Sequence, residues 1–175
     1  MPPLRKASVD SPRQNVYCYN MDTQTHAVAL PVSPEQRAAI ALGRVVSRLM
    51  YRMEQLLKPY GLTPTQYNVL RILNGAGAEG LCGTDIGGRL LSPVPDMTRL
   101  LDRMAEAGLL VRERDPRQRR FVRARLTDAG REMLLETTPV VDGLHREQFR
   151  RFSPEQVETL RSLLELFSDP EGPAT

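Results

Sequence analysis

Residues 112 to 127 read RERDPRQRRFVRARLT, and seven of the first fourteen are arginine. A guanidinium is a planar fork of donors that grips a phosphate or a guanine edge through two bonds at once. Local density of this kind points to a nucleic-acid contact more than the same charges scattered along the chain would. A second group lies upstream: Asp96, Met97, Thr98, Arg99 and Arg103, with Ser92 ahead of them. Arginine can read guanine, threonine can meet a thymine methyl, and serine can hold a phosphate at a helix start. Arg99 is the foremost candidate for a base contact. For Arg103, a surface ion pair to Asp102 or Glu106 is an equal alternative. Leu100 and Met104, on the other face, belong to a core.

Other chemistries find little support. There is no paired carboxylate, phosphate-cradling glycine loop or nucleophile with its base, so neither an enzyme nor a cofactor is expected. His26 and His145 stand alone, and Cys18 and Cys82 are too few for a disulfide framework or a zinc site, so no metal is expected. Cys18, in YCYN, and Cys82, at the start of a helical segment, are redox candidates, with two inert thiols as the alternative. Net charge is only +3, yet among 24 lysines and arginines the only lysines are Lys6 and Lys58. A genome rich in arginine codons accounts for the missing lysines but not for the local block. Apolar runs are short and no cationic segment precedes one, so neither a membrane span nor a secretory signal is expected, and the cytoplasm is the expected location.

Elements to position these residues follow from caps and periodicity. Residues 1–30 carry no sustained period and read as a flexible arm. SPEQ, 33–36, starts a helix that runs to about Lys58, with Ile40, Val46, Leu49, Met50, Met53, Leu56 and Leu57 on one face and Arg44, Arg48 and Arg52 on another. TPTQ, 63–66, starts a second, which turns Tyr67, Leu70 and Leu73 inward. CGTDIGGRLL makes a weak third helix, since Gly87 and Gly88 each cost about 1 kcal/mol relative to alanine. SPVPDMTRLLDRMAEAGLL, 92–110, is a stronger fourth, with Pro95 in its first turn and Gly108 ending it.

From Leu109 the period changes to alternation. Two strands flank DPRQR, placing Val122, Ala124 and Leu126 toward the domain, Arg123 and Arg125 toward solvent or phosphate, and Arg117 at the tip. A long helix after Thr127, kinked at Pro139, reaches about Phe152. A second SPEQ, 153–156, caps a last helix with Val157, Leu160, Leu163, Leu164 and Phe167 in a stripe. The terminal helices carry more apolar surface than a small central unit can cover, which predicts pairing with a second copy.

Three helices followed by a hairpin with an arginine-rich loop is the order of a winged helix-turn-helix, whose last helix before the hairpin enters the major groove. The expected fold class is mainly α with a small β-hairpin wing. LTPTQYNVLRIL, PDMTRLLDRMAEAGLL and GLLVRERDPRQRRFVRARLTDAGREML together resemble the MarR family of transcriptional regulators over residues 33–168. The resemblance implies a dimer, with 31–60 and 128–170 as dimerisation helices and 61–127 as the DNA-binding domain on a pseudo-palindromic operator. Many members repress transcription until a phenolic ligand or an oxidant releases them.

On the family's wing pattern, Asp115, Arg117 and Arg120 or its neighbour Arg119 match, while Gln118 stands where a second aspartate is expected. Arg117 would enter the minor groove, where a narrow, A·T-rich channel concentrates negative potential. The resemblance also implies an effector pocket between the dimer helices and the winged domain. Tyr51, Tyr60, Tyr67 and Arg71 are candidates to line it, with plain core packing as the alternative. Peroxide-sensing relatives carry a reactive cysteine at the start of the first dimer helix, a place that neither Cys18 nor Cys82 occupies. The rival readings are an architectural DNA binder without operator preference and a winged-helix module for protein partners.

Overall fold

The computed structural model describes residues 33–114 and 122–167. The expected arm, Cys18 and the hairpin tip with Asp115, Arg117, Arg119 and Arg120 therefore lie outside the described residues. Helix α1 spans Pro34–Leu57; its opening stretch, up to Ala39, falls in a separate unit from the one beginning at Ile40. Within that opening stretch Ser33 Oγ accepts from the Gln36 amide at 3.1 Å, a cap that satisfies one of the helix's free N–H groups.

A short 3-10 turn leads to α2 (Pro64–Ala76). Here the capping box is complete: Gln66 N donates to Thr63 Oγ1 at 3.2 Å, and Thr63 N donates to Gln66 Oε1 at 2.8 Å. Next come β1 (Leu81–Cys82), α3 (Gly83–Gly87), α4 (Met97–Glu106), the strands β2 (Leu110–Arg114) and β3 (Val122–Leu126), and the helices α5 (Asp128–Phe149) and α6 (Pro154–Glu165). The strands form one antiparallel sheet in the order β1-β3-β2, with Leu81 opposite Ala124 and Leu110 opposite Leu126.

Three expectations need correction. The third helix has five residues, not ten, and it ends at Gly87 and Gly88, where two consecutive glycines make helix costly in entropy. The strand before it was not expected at all. Helix α4 starts at Met97, with Asp96 as its N-cap, so Ser92 and Pro95 precede the helix and do not form its first turn. Asp96 Oδ1 accepts from the Arg99 amide at 2.9 Å, and that bond fixes where the helix begins. At its other end Gly108, at φ 73°, takes the left-handed conformation that turns the chain into β2.

The core gathers one face from each central element: Leu57 of α1, Val69, Leu70 and Leu73 of α2, Ile86 of α3, Leu100, Leu101 and Met104 of α4, Leu110 and Ala124 of the hairpin, and Val141 of α5. Helix α5 docks by close approach. A β-carbon on Gly130 would stand 2.0 Å from the Leu109 carbonyl oxygen, so only glycine fits there. Thr127 Oγ1 accepts from the Gly130 amide at 3.0 Å and donates to Gly108 O at 2.6 Å, tying the start of α5 to the end of α4. Helix α5 continues through Pro139, and the hydroxyls of Thr137 and Thr138 just before it bond back to Met133 O and Leu134 O, both at 2.7 Å. The terminal helices differ from this centre. Leu57 is the one buried residue of α1, and α6 has none.

Candidate nucleic-acid interface and adjoining cavity

Helix α4 divides cleanly. Leu100, Leu101 and Met104 are buried, whereas Thr98, Arg99, Asp102, Arg103 and Glu106 are exposed. Met97, expected to face a groove, is half-buried against α3: a β-carbon on Gly83 would touch its Cγ at 3.4 Å, and one on Gly87 its Cε at 3.7 Å. What remains outward at the start of the helix is Asp96, Thr98 and Arg99. Arg99 is the more open of its pair, with its side chain 77% exposed and its Nε 3.7 Å from Asp96 Oδ2. A pair that open in water is weakly held, so the guanidinium can exchange the carboxylate for another acceptor.

Two of the hairpin arginines, Arg123 and Arg125, have acceptors within the protein. Arg123 Nη1 donates to the Gly80 carbonyl at 3.2 Å, and Arg125 pairs with Glu113 diagonally across the ladder. Both are half-buried, and a guanidinium drawn out of water needs such acceptors. They brace the sheet from the face opposite Ala124 and Leu126, and the Arg125 side chain is still 40% exposed. Val122, expected inward, is exposed at the outer end of its strand, while Ala124 and Leu126 are buried as expected. Asp102, one of two partners considered for Arg103, is instead engaged by Arg112 of β2.

Beside this interface is a cavity of about 310 Å³. Met50 and Met53 of α1, Tyr67 and Arg71 of α2, the Leu90–Ser92 segment ahead of α4, and His145, Gln148 and Phe149 of α5 contribute to its wall. Two of the four pocket candidates, Tyr67 and Arg71, thus meet there. Tyr51 stands exposed on α1 and Tyr60 packs half-buried against the core, and neither reaches the cavity. Sequence reasoning missed the contribution of α5. The available signal was the spacing of His145, Gln148 and Phe149, which share one helical face. His145 Nδ1 lies 3.2 Å from Gln148 Oε1, an arrangement that orients the ring at the wall.

Ser92 belongs to the cavity as well as to the approach to α4. Cys82 is half-buried, with its Sγ 2.9 Å from Thr84 Oγ1. Among the described residues no three of His, Cys, Asp and Glu gather as metal ligands, and no helix is long and apolar enough to cross a membrane.

Residues 60–120 match the model of the MarR family. The chain is 36% identical over 107 residues to the uncharacterized HTH-type transcriptional regulator YkoM of Bacillus subtilis, covering 61% of this chain and 68% of that one. Among solved structures, the transcriptional repressor CouR bound to a 23-mer DNA duplex superposes with a TM-score of 0.69 at 27% identity, over 80% of this chain and 99% of that one. CouR from Rhodococcus jostii RHA1 bound to p-coumaroyl-CoA gives 0.68 at 26%, over 82% and 99%.

Proposed function

Because the chain belongs to the MarR family of winged-helix transcriptional regulators, we propose that it is a homodimeric repressor that grips a pseudo-palindromic operator and releases it when a small phenolic ligand enters the cavity. The regulatory role, as opposed to an enzymatic one, comes with the family. The observation that carries the reading is α4, whose buried Leu100, Leu101 and Met104 turn Thr98, Arg99 and Arg103 outward, ahead of an arginine-rich hairpin. A helix so presented fits the major groove, while Arg117, outside the described residues, would reach the minor groove on the family's wing pattern. On this reading residues 61–127 form the DNA-binding domain, and 31–60 and 128–170 supply the dimerisation helices, α1 with α5 and α6.

The cavity supports ligand control. Methionine, leucine and phenylalanine side chains offer an apolar bed for an aromatic ring, and Arg71 offers a cation for an acid group. CouR, a relative of similar fold, has been solved both on DNA and with p-coumaroyl-CoA. The wall includes Leu90, Leu91 and Ser92, the chain segment that leads directly into the cap of α4, so an occupant would press on the reading helix within a few residues.

Footprinting on the chain's own promoter, with and without p-coumarate, tests the proposal. Protection of a two-fold symmetric site that is lost on adding the phenol is expected, and Arg71→Ala should blunt the loss while leaving protection intact. Equal affinity for promoter and random DNA, falling steeply with salt, would overturn it in favour of an architectural role.

A further inference from the structure

A helix that reads one groove and a hairpin that enters the next must be held at a fixed angle to each other. Among the described residues, an ion pair spans that joint. Arg112, in the middle of β2, donates from Nη1 to Asp102 Oδ1 on α4. The Arg112 side chain is only 22% exposed, so its guanidinium is largely withdrawn from solvent and committed to this partner. Leu101 of α4 and Leu110 of β2, each one residue or two from the pair, are buried in the core, which places the bridge at the rim of a packed joint. Asp102 itself lies on the exposed face of α4, among Thr98, Arg99, Arg103 and Glu106.

We infer that Asp102 and Arg112 are positioning residues: they fix the angle between the reading helix and the hairpin, and so support operator selectivity without touching DNA. The inference rests on the DNA-binding reading above. Electrostatics alone predicts the opposite sign for Asp102. A carboxylate on a DNA-facing helix repels phosphates, so its removal should tighten binding to any duplex. A positioning role predicts weaker binding, confined to the preferred sequence.

The test uses the full chain, a duplex that the wild type selects from a random pool, and a scrambled duplex, in anisotropy titrations over a salt series. Asp102→Asn and Arg112→Gln should each weaken the selected duplex about tenfold and leave the scrambled one within about twofold. The double variant should be no weaker than either single one, because a pair is broken only once. All three should keep the wild-type salt slope, whereas Arg117→Gln should reduce it by about one.

Tighter binding of both duplexes by Asp102→Asn would overturn the inference, as would a reduced salt slope for Arg112→Gln, which would make Arg112 a phosphate contact. Thermal melting checks the fold. If a neutral variant melts without cooperativity, Asp102→Glu decides: retained selectivity supports the pair, and lost selectivity in a folded protein removes it. A wild type that prefers neither duplex fails the DNA-binding reading and takes the inference with it.

Discussion

Asp96 does two jobs at the start of α4, and substitutions separate them. Its Oδ1 caps α4 at the Arg99 amide, and its Oδ2 lies near the Arg99 guanidinium. Asp96→Ala should cost about 1 kcal/mol of stability, while Asp96→Ser, which keeps a capping oxygen, should stay within about 0.5 kcal/mol of wild type; denaturant unfolding measures both. Arg99→Ala should weaken the selected duplex by about 1–3 kcal/mol, as loss of one base contact does, and unchanged affinity would take Arg99 out of the interface. Arginine density announced nucleic-acid chemistry from the sequence, but it did not sort the arginines. Arg112, Arg123 and Arg125 find Asp102, Gly80 and Glu113 through tertiary contact and strand register, at separations of 10, 43 and 12 residues that no local pattern encodes.

Elements with strong local chemistry were the legible ones. The caps at Ser33, Thr63 and Ser153 are local devices, and all three stand where the sequence places them. The two-residue β1 was not legible: it has no alternation of its own and exists because β3 offers it an edge. Where α5 meets the hairpin, fit is steric. Gly130→Ala would drive a β-carbon into the Leu109 carbonyl and should cost about 2–4 kcal/mol, read as a fall in melting temperature; an unchanged midpoint would show that the joint can shift. At α6, bonding to Ser153 holds Glu155 below its ordinary pKa, and bonding to Arg161 does the same for Glu158. A depressed native pKa adds stability above the unfolded value, and that gain is lost as pH falls through the native one. Carboxyl NMR should therefore find both midpoints below 4.5, with any loss of α6 order confined to more acid solution.

At the scale of the whole molecule, the exposed apolar side chains of the terminal helices bear on the proposed dimer. Ile40, Val46 and Met50 of α1 are each more than two-fifths exposed, Leu163 of α6 is 55% exposed, and Phe167 just beyond it is 77% exposed. Helices with apolar stripes draw most of their stability from covering the stripe rather than from propensity. Scattered apolar residues would need no explanation; stripes on two helices do. A second copy offers the same stripes by symmetry, and two reading helices then face two half-sites of one palindrome. Light scattering should accordingly find a dimer at micromolar concentration. Leu163→Glu places a charge in the middle of the α6 stripe and should shift the protein toward monomer while leaving the core, in which α6 has no buried residue, to melt as before. Affinity for the full palindrome should then fall far more than affinity for a single half-site, because the linkage of two binding events is lost while each interface stays intact. A wild type that stays monomeric would remove the two-half-site grip. A Leu163→Glu variant that remains dimeric and binds as tightly as wild type would place the interface elsewhere on the molecule.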